Sequence, residues 1–225
     1  MAVVGLGGVG SWAVEALARS GVARLVLVDY DQVAESNVNR QVQALGSTLG
    51  MAKTDALAAR IADINPGCEV QRVEAFATPE NWPALLPAPV DAVIDACDQS
   101  SAKAALAAWA LATGTPFVCV GAAGGKREAQ RVEVDDLANA THDPLLASLR
   151  QRLRKHHGAA RSGAIGLRVV FSRENVAQRA GACETGSAGD GSLNCAGYGS
   201  SVMVTATFGL AAAGDAVAQL LAGQA

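Results

Sequence analysis

Residues 2–10, AVVGLGGVG, join an apolar strand to a helix through a turn in which Gly5, Gly7 and Gly10 hold a G-x-G-x-x-G spacing. Glycine lets the backbone reverse tightly there and brings the helix N-terminus against the strand end, which commits the chain to a parallel sheet with crossover helices. The free N–H groups and dipole of that helix end favour a phosphate. The helix is predicted over about Val9 to Ser20, ending before Gly21. A strand follows at Arg24 to Asp29, leaving Asp29 at a strand end where a carboxylate bonds ribose hydroxyls. On these residues alone a dinucleotide is the first ligand to consider and a dehydrogenase the first function.

The alternation continues. KTDALAARIADIN places Leu57, Ile61 and Ile64 on one helix face and is stopped by Pro66. Val70, Val73 and Phe76 fall in an alternating run, VDAVIDAC closes a fourth strand at Asp98, an Ala-rich helix spans about Ser100 to Thr113, and PFVCVG is a buried strand. Strands alternating with helices give an α/β fold with a Rossmann-like, doubly wound, mostly parallel sheet. Beyond Gly121 the pattern weakens: a strand at QRVEV, a helix at about Pro144 to His157, a strand at LRVVFS, a glycine-rich loop at 181–199, and a last helix from about Val202 to Leu221. The expectation is one domain over 1–225, with a nucleotide-binding core at 1–125 and a C-terminal elaboration at 126–225.

Composition excludes whole classes. A chain of 225 residues, 50% hydrophobic and with net charge −3, buries a core without help from disulfides or a structural metal. Its five cysteines are odd in number and form no C-x-x-C pair, which speaks for a reducing compartment and against a zinc ribbon. No signal peptide is readable at the start, so the cytoplasm is expected. The apolar run before Asp215, about 13 residues, suits a buried helix better than a span of about 20, and no membrane contact is expected.

The segment after Asp29, DYDQVAESNVNRQ, places Asn37 and Arg40 on a loop, and Lys53 opens the next helix. A nicotinamide cofactor has no use for this cationic pair, whereas Arg40 and Lys53 suit the charge that builds on a departing pyrophosphate. Asp95 and Asp98 stand at the carboxyl edge of the sheet, where open α/β proteins bind ligands. Asp98 is the magnesium candidate, since a hard cation takes one carboxylate together with phosphate and water oxygens. Capping of the helix at Ser100 is its alternative role.

These runs together, GLGGVGSWAVEALARSGV, LVLVDYDQVAESNVNRQ, Lys53 and DAVIDACD, resemble the ubiquitin-activating-enzyme-like adenylating superfamily that includes the ThiF and MoeB types. The resemblance implies MgATP as cosubstrate and adenylation of a carboxylate. It sets Gly5, Gly7, Gly8 and Gly10 at the phosphates, Asp29 on the ribose, Asn37, Arg40 and Lys53 on the triphosphate, and Asp98 at Mg2+, with Arg40, Lys53 and Asp98 as the catalytic set. Trp12, THDPLLASLRQRLRK, VVFSRE and NCAGYGSSVMVTATFGLAAA are similar to the tRNA threonylcarbamoyladenosine dehydratases, the TcdA type, almost to the end of the chain. That family cyclises the threonylcarbamoyl group on an adenosine beside the tRNA anticodon. An acyl adenylate of the threonyl carboxylate is open to attack by a neighbouring group of the same side chain, so no thioester is required.

The resemblance also implies a homodimer, a tRNA partner, no DNA partner, and a sulfur-transfer or carrier protein as a further possible partner. Its members carry a segment ahead of the first strand with an arginine reaching the partner subunit's nucleotide. Met1 here almost abuts the glycine loop, so the expectation is a shortened chain or loss of that contact. Between Arg150 and Arg168 lie Arg150, Arg152, Arg154, Lys155, Arg161 and Arg168 with no acidic residue among them, a local charge suited to RNA phosphates or to a solvated face. Trp12 is expected in packing. Cys97 and Cys119 are expected as buried strand residues, and Cys183 and Cys195 as bystanders without an activating neighbour. Activation of a ubiquitin-like or sulfur-carrier protein, and an ATP-binding scaffold without turnover, are the rival functions.

Overall fold

The computed structural model describes residues 1–175 and 199–223. Cys183, Cys195 and all but the last residue of the glycine-rich segment at 181–199 lie outside them. Seven strands form one sheet: β1 (Ala2–Val4), β2 (Arg24–Val28), β3 (Glu69–Val73), β4 (Val93–Asp95), β5 (Phe117–Val120), β6 (Val132–Asp136) and β7 (Arg168–Ser172). Their spatial order is β3-β2-β1-β4-β5-β7-β6. Every neighbouring pair is parallel except β6 with β7, which closes the edge antiparallel. Successive strands run outward in opposite directions from β1, so the topological switch lies between β1 and β4. In register, Val4 faces Val28 on one side and Asp95 on the other, which brings three strand ends to one level at that switch.

The helices divide between the two faces. Leu25 and Leu27 of β2 point into a core with α1 (Gly10–Arg19), α2 (Lys53–Ile64) and α5 (Val202–Ala222), while Val26 and Val28 point to α3 (Ser100–Thr113) and α4 (Pro144–His156). Burial on both sides explains why the inner strands read as continuous apolar runs. Local stops agree with the sequence: Gly114 ends α3 with φ +69 in the left-handed region. At the start of α4, Pro144 follows Asp143, whose side chain accepts from the Leu146 amide.

Three expectations are corrected in detail. β4 ends at Asp95 rather than Asp98, because the chain turns off there under the glycine loop. Gln130 and Arg131 belong to a 3-10 turn and the strand begins at Val132. Phe76 lies beyond β3, which ends at Val73, and is exposed. The C-terminal elaboration continues the sheet, since β7 inserts between β5 and β6. α5 is long and apolar enough to cross a membrane by length and composition, yet it buries Val204, Phe208, Ala212, Ala213 and Ala216 in this core. Gly209 makes the approach possible: a Cβ there would run into the Val9 carbonyl and stand 2.9 Å from the Ala13 amide nitrogen.

Glu15 joins α1 to α2. It is 6% exposed and takes Arg60 at 2.6 and 3.0 Å and Arg19 at 2.8 Å. Burial alone would raise its pKa, but the hydrogen bonds from Arg60 and Arg19 prevail and the net shift is downward from 4.5. A depressed folded-state pKa stabilises above the unfolded value and is lost as pH falls through the folded one. Glu15→Gln is therefore expected to cost about 1–3 kcal/mol near pH 7. The difference from wild type should shrink below about pH 4 in urea unfolding curves; a gap independent of pH would refute the ion-pair account.

Candidate active site

The four glycines of the loop have separate reasons. A Cβ at Gly10 would overlap the Gly5 carbonyl, and one at Gly5 would stand 2.8 Å from the Cys97 amide, with Gly5 already at φ +85. These two close the turn against β4. Gly7 has open space where its Cβ would be, and Gly8 looks onto the Arg40 stem at 3.1 Å and Thr205 at 3.3 Å. Asp29 ties the loop down: Oδ2 accepts from the Leu6 amide at 2.6 Å and Oδ1 from the Asp31 amide at 2.9 Å. Burial raises its pKa, with Lys53 and these two amides opposing. Each carboxylate oxygen keeps a lone pair for a ribose hydroxyl.

A cavity of about 440 Å³ opens over the ends of β1, β2, β4 and β5, and its wall includes Gly5, Gly7, Gly8, Asp29, Asn37, Arg40, Lys53 and Asp98. Gly10 stands behind it as a packing residue. The polar stretch after Asp29 is folded by its own side chains. Asn37 Oδ1 accepts from the Ala34 amide at 3.0 Å, while Arg40 Nη1 donates to the Ser36 carbonyl at 2.8 Å and to Asn39 Oδ1 at 2.9 Å. Burial lowers the Arg40 pKa, and the guanidinium stays charged. Trp12 pins this segment from α1, donating from Nε1 to the Arg40 carbonyl at 3.0 Å, which is the packing role expected of it. Lys53 is 5% exposed and reaches Asp31 Oδ2 at 2.7 Å, so its ammonium is held at the cavity wall by a carboxylate that is half in solvent.

Asp98 sits half-buried in the wall on the loop after β4. The α3 N-cap is Gln99, with no side-chain capping bond, so Asp98 does not serve as the cap. Asp95 is not in the wall. It is fully buried and paired at 2.9 Å with the equally buried Lys103. Its other oxygen accepts from the Cys97 amide at 3.1 Å and the Cys97 thiol at 2.9 Å, shaping the turn that carries Asp98. Burial lowers the Lys103 pKa, but Asp95, Cys119 and Cys97 together outweigh it and the net shift is upward. Burial and then Asp95 push the Cys97 thiol well up, and burial does the same to Cys119, which disfavours the thiolate at both. Cys119 is in β5 as expected, whereas Cys97 lies two residues beyond the end of β4, in the cavity wall. Sequence reasoning passed over Lys103; the available signal was one lysine inside an otherwise apolar alanine-rich helix.

The six basic residues of 150–168 do not share one face. Arg150 donates to the Leu137 and Ala140 carbonyls, and Arg168 pairs with Asp215 of α5 at 2.7 Å. Arg152, Lys155 and Arg161 are exposed, and Arg154 binds the Ala160 carbonyl through Nε.

A glycine loop at the switch point of a doubly wound sheet, faced by a buried lysine and a half-buried arginine, defines a nucleotide-phosphate-binding α/β protein. Residues 1–223 match the ThiF family, and the chain belongs to it. It is 42% identical to the tRNA threonylcarbamoyladenosine dehydratase of Escherichia coli over 98% of this chain and 85% of that protein. It is 38% identical to the dehydratase of Haemophilus influenzae over 97% and 84%. The crystal structure of the E. coli enzyme in complex with ATP superposes with a TM-score of 0.88 at 40% identity, covering 99% of this chain and 86% of that one.

Removing one partner of the Asp95–Lys103 pair leaves a buried charge uncompensated. Lys103→Met is expected to cost about 3–5 kcal/mol, and Asp95→Asn combined with Lys103→Met to recover much of it. Denaturant midpoints of the three variants test this, and an equally unstable double variant would refute the charge argument.

Proposed function

We propose that the chain is an ATP-dependent tRNA threonylcarbamoyladenosine dehydratase, working through adenylation of the threonyl carboxylate. The observation that carries this reading is the convergence of Arg40, Lys53 and Asp98 on the same cavity as the glycine loop. A dinucleotide has no need of two cations there, whereas adenylation drives pyrophosphate away from the α-phosphorus and needs its charge balanced. Similarity to the dehydratases over nearly the whole chain supports the substrate.

The chemistry then runs in two steps. A threonyl carboxylate oxygen attacks the α-phosphorus and the bond to pyrophosphate breaks, giving an acyl adenylate. A neighbouring group of the same threonylcarbamoyl side chain attacks the acyl carbon, loses its proton and expels AMP, so that the nucleoside loses one water. The glycine-loop amides bind the first phosphate, Asp29 orients the ribose, Asn37, Arg40 and Lys53 hold the departing pyrophosphate, and closure within one substrate needs no cysteine. Among the described residues no cluster of three His, Cys, Asp or Glu side chains makes a self-sufficient metal site. Asp98 alone fits Mg2+ that shares its shell with phosphate and water, and the ion would supply charge neutralisation.

The exposed side chains Val38, Leu45, Leu49 and Met51 support pairing of two copies through the 38–51 segment. The solvent-facing Arg152, Lys155 and Arg161, with the half-buried Arg154 beside them, are the phosphate contacts we assign to tRNA, with Arg150 and Arg168 bonded into the fold.

The deciding assay is pyrophosphate and AMP release from MgATP with tRNA carrying threonylcarbamoyladenosine and with the same tRNA lacking it. Turnover is expected only with the modified tRNA, whose nucleoside should lose one water by mass. Arg40→Ala and Asp98→Ala are each expected to slow turnover at least about 100-fold. Turnover driven instead by a carrier protein with a C-terminal glycine, or ATP binding without pyrophosphate release, would transfer the assignment to a rival.

A further inference from the structure

Two glutamines beside the glycine loop have no part in the mechanism above. Gln41 and Gln43 are 5% and 1% exposed. Their amides form a chain to the loop, in which Gln43 Nε2 donates to the Leu6 carbonyl at 3.0 Å and to Gln41 Oε1 at 3.1 Å. The direction of that chain is set at its inner end. A carbonyl only accepts, so Gln43 must face Leu6 with its nitrogen. Both protons of that nitrogen are then used, and only the oxygen of Gln41 receives the second. Turning Gln43 over would set oxygen against oxygen, and turning Gln41 over would set nitrogen against nitrogen. The Gln41 nitrogen and its two protons are therefore directed away from Gln43. Gln41 lines the nucleotide cavity on the wall that also carries Asn37 and Arg40. Among the described residues Gln43 Oε1 is buried without a partner, a cost that a side chain kept only for packing would not carry.

We propose that Gln41 is a binding residue for the triphosphate, donating from Nε2 to an oxygen beyond the first phosphate, and that Gln43 is the positioning residue that turns it there. This rests on ATP being the nucleotide. The first phosphate belongs to the loop amides at the α1 N-terminus, whereas Gln41 belongs to the Arg40 turn, which serves the outer phosphates. A neutral donor complements Arg40 and Lys53: it fixes the direction of the chain of phosphates without adding charge that would hold back the leaving pyrophosphate. Leu6 is held from both sides as a result, by Asp29 at its amide and Gln43 at its carbonyl. The loop and the outer-phosphate turn are thus bonded to each other through Leu6.

Titration calorimetry of the whole chain with ATP, AMP and inorganic pyrophosphate tests both roles. Methionine keeps the length of glutamine and removes its donors. Gln41→Met is expected to weaken ATP and pyrophosphate about tenfold or more while AMP changes less than about twofold. Gln43→Met should act in the same direction, and the double variant should be no weaker than Gln41→Met, because both remove one contact. Gln41→Glu keeps the bond to Gln43 and turns a carboxylate to the cavity, so it should lose ATP more than AMP even if the methionine variants fold poorly. Equal loss of ATP and AMP, or unchanged ATP affinity, overturns the role of Gln41; additive losses overturn that of Gln43. Wild-type protein that binds neither nucleotide sinks the ATP reading itself, before any variant is compared.

Discussion

The site depends on how closely backbone can approach backbone at the strand-to-helix turn. Gly10 packs on the Gly5 carbonyl and Gly5 on the amide of Cys97, so β1, α1 and the loop after β4 meet with no side chain between them. That contact brings the α1 N-terminus over the sheet edge and sets Asp98 across from it. The same requirement recurs at Gly209, where α5 reaches the Val9 carbonyl and places Thr205 beside Gly8. A helix almost 200 residues downstream thereby becomes part of the support of the phosphate loop.

Around this contact, polar groups are arranged in two depths. Buried pairs give shape: Asp95 with Lys103 under the floor, Asp29 on the loop amides, and the glutamine chain on the Leu6 carbonyl. Charges in the cavity wall, Arg40, Lys53 and Asp98, remain available to a ligand. Buried charge is costly when unpaired and tolerable when bonded, and the charged members of the inner set, Asp95, Lys103 and Asp29, all have partners. Lys53 in the outer set is paired with Asp31, a carboxylate about half in solvent, and such a partner holds it less strongly than a buried one would.

Much of this was legible along the chain, and the reasons differ by residue. Helix α3 could be bounded at Ser100 and Thr113 because alanine-rich periodicity and Gly114 are local signals. Asn37, Arg40, Lys53 and Asp98 could be gathered because strand–helix alternation sends every strand end to one edge of the sheet. Gln41 and Gln43 escaped because a glutamine in a polar stretch carries no mark of burial in its own neighbourhood, whereas the lone lysine of α3 was the one local hint of the buried Lys103. Arg150 and Arg168 read as surface charge beside Arg152 and Lys155, yet their partners, the Leu137 carbonyl and Asp215, come from elsewhere in the chain.

The order of apolar runs and glycines determined the doubly wound sheet, its switch point and the edge at which the cavity opens, since these follow from backbone sterics and burial acting over short stretches. Tertiary structure alone decided where β4 leaves the sheet, which of two neighbouring aspartates turns inward, and which arginines are tied into the fold. Those outcomes depend on contacts between residues far apart in sequence, such as Asp95 with Cys119, Gly209 with Val9 and Arg168 with Asp215. A desolvation cost is settled only when the whole fold has placed every neighbour.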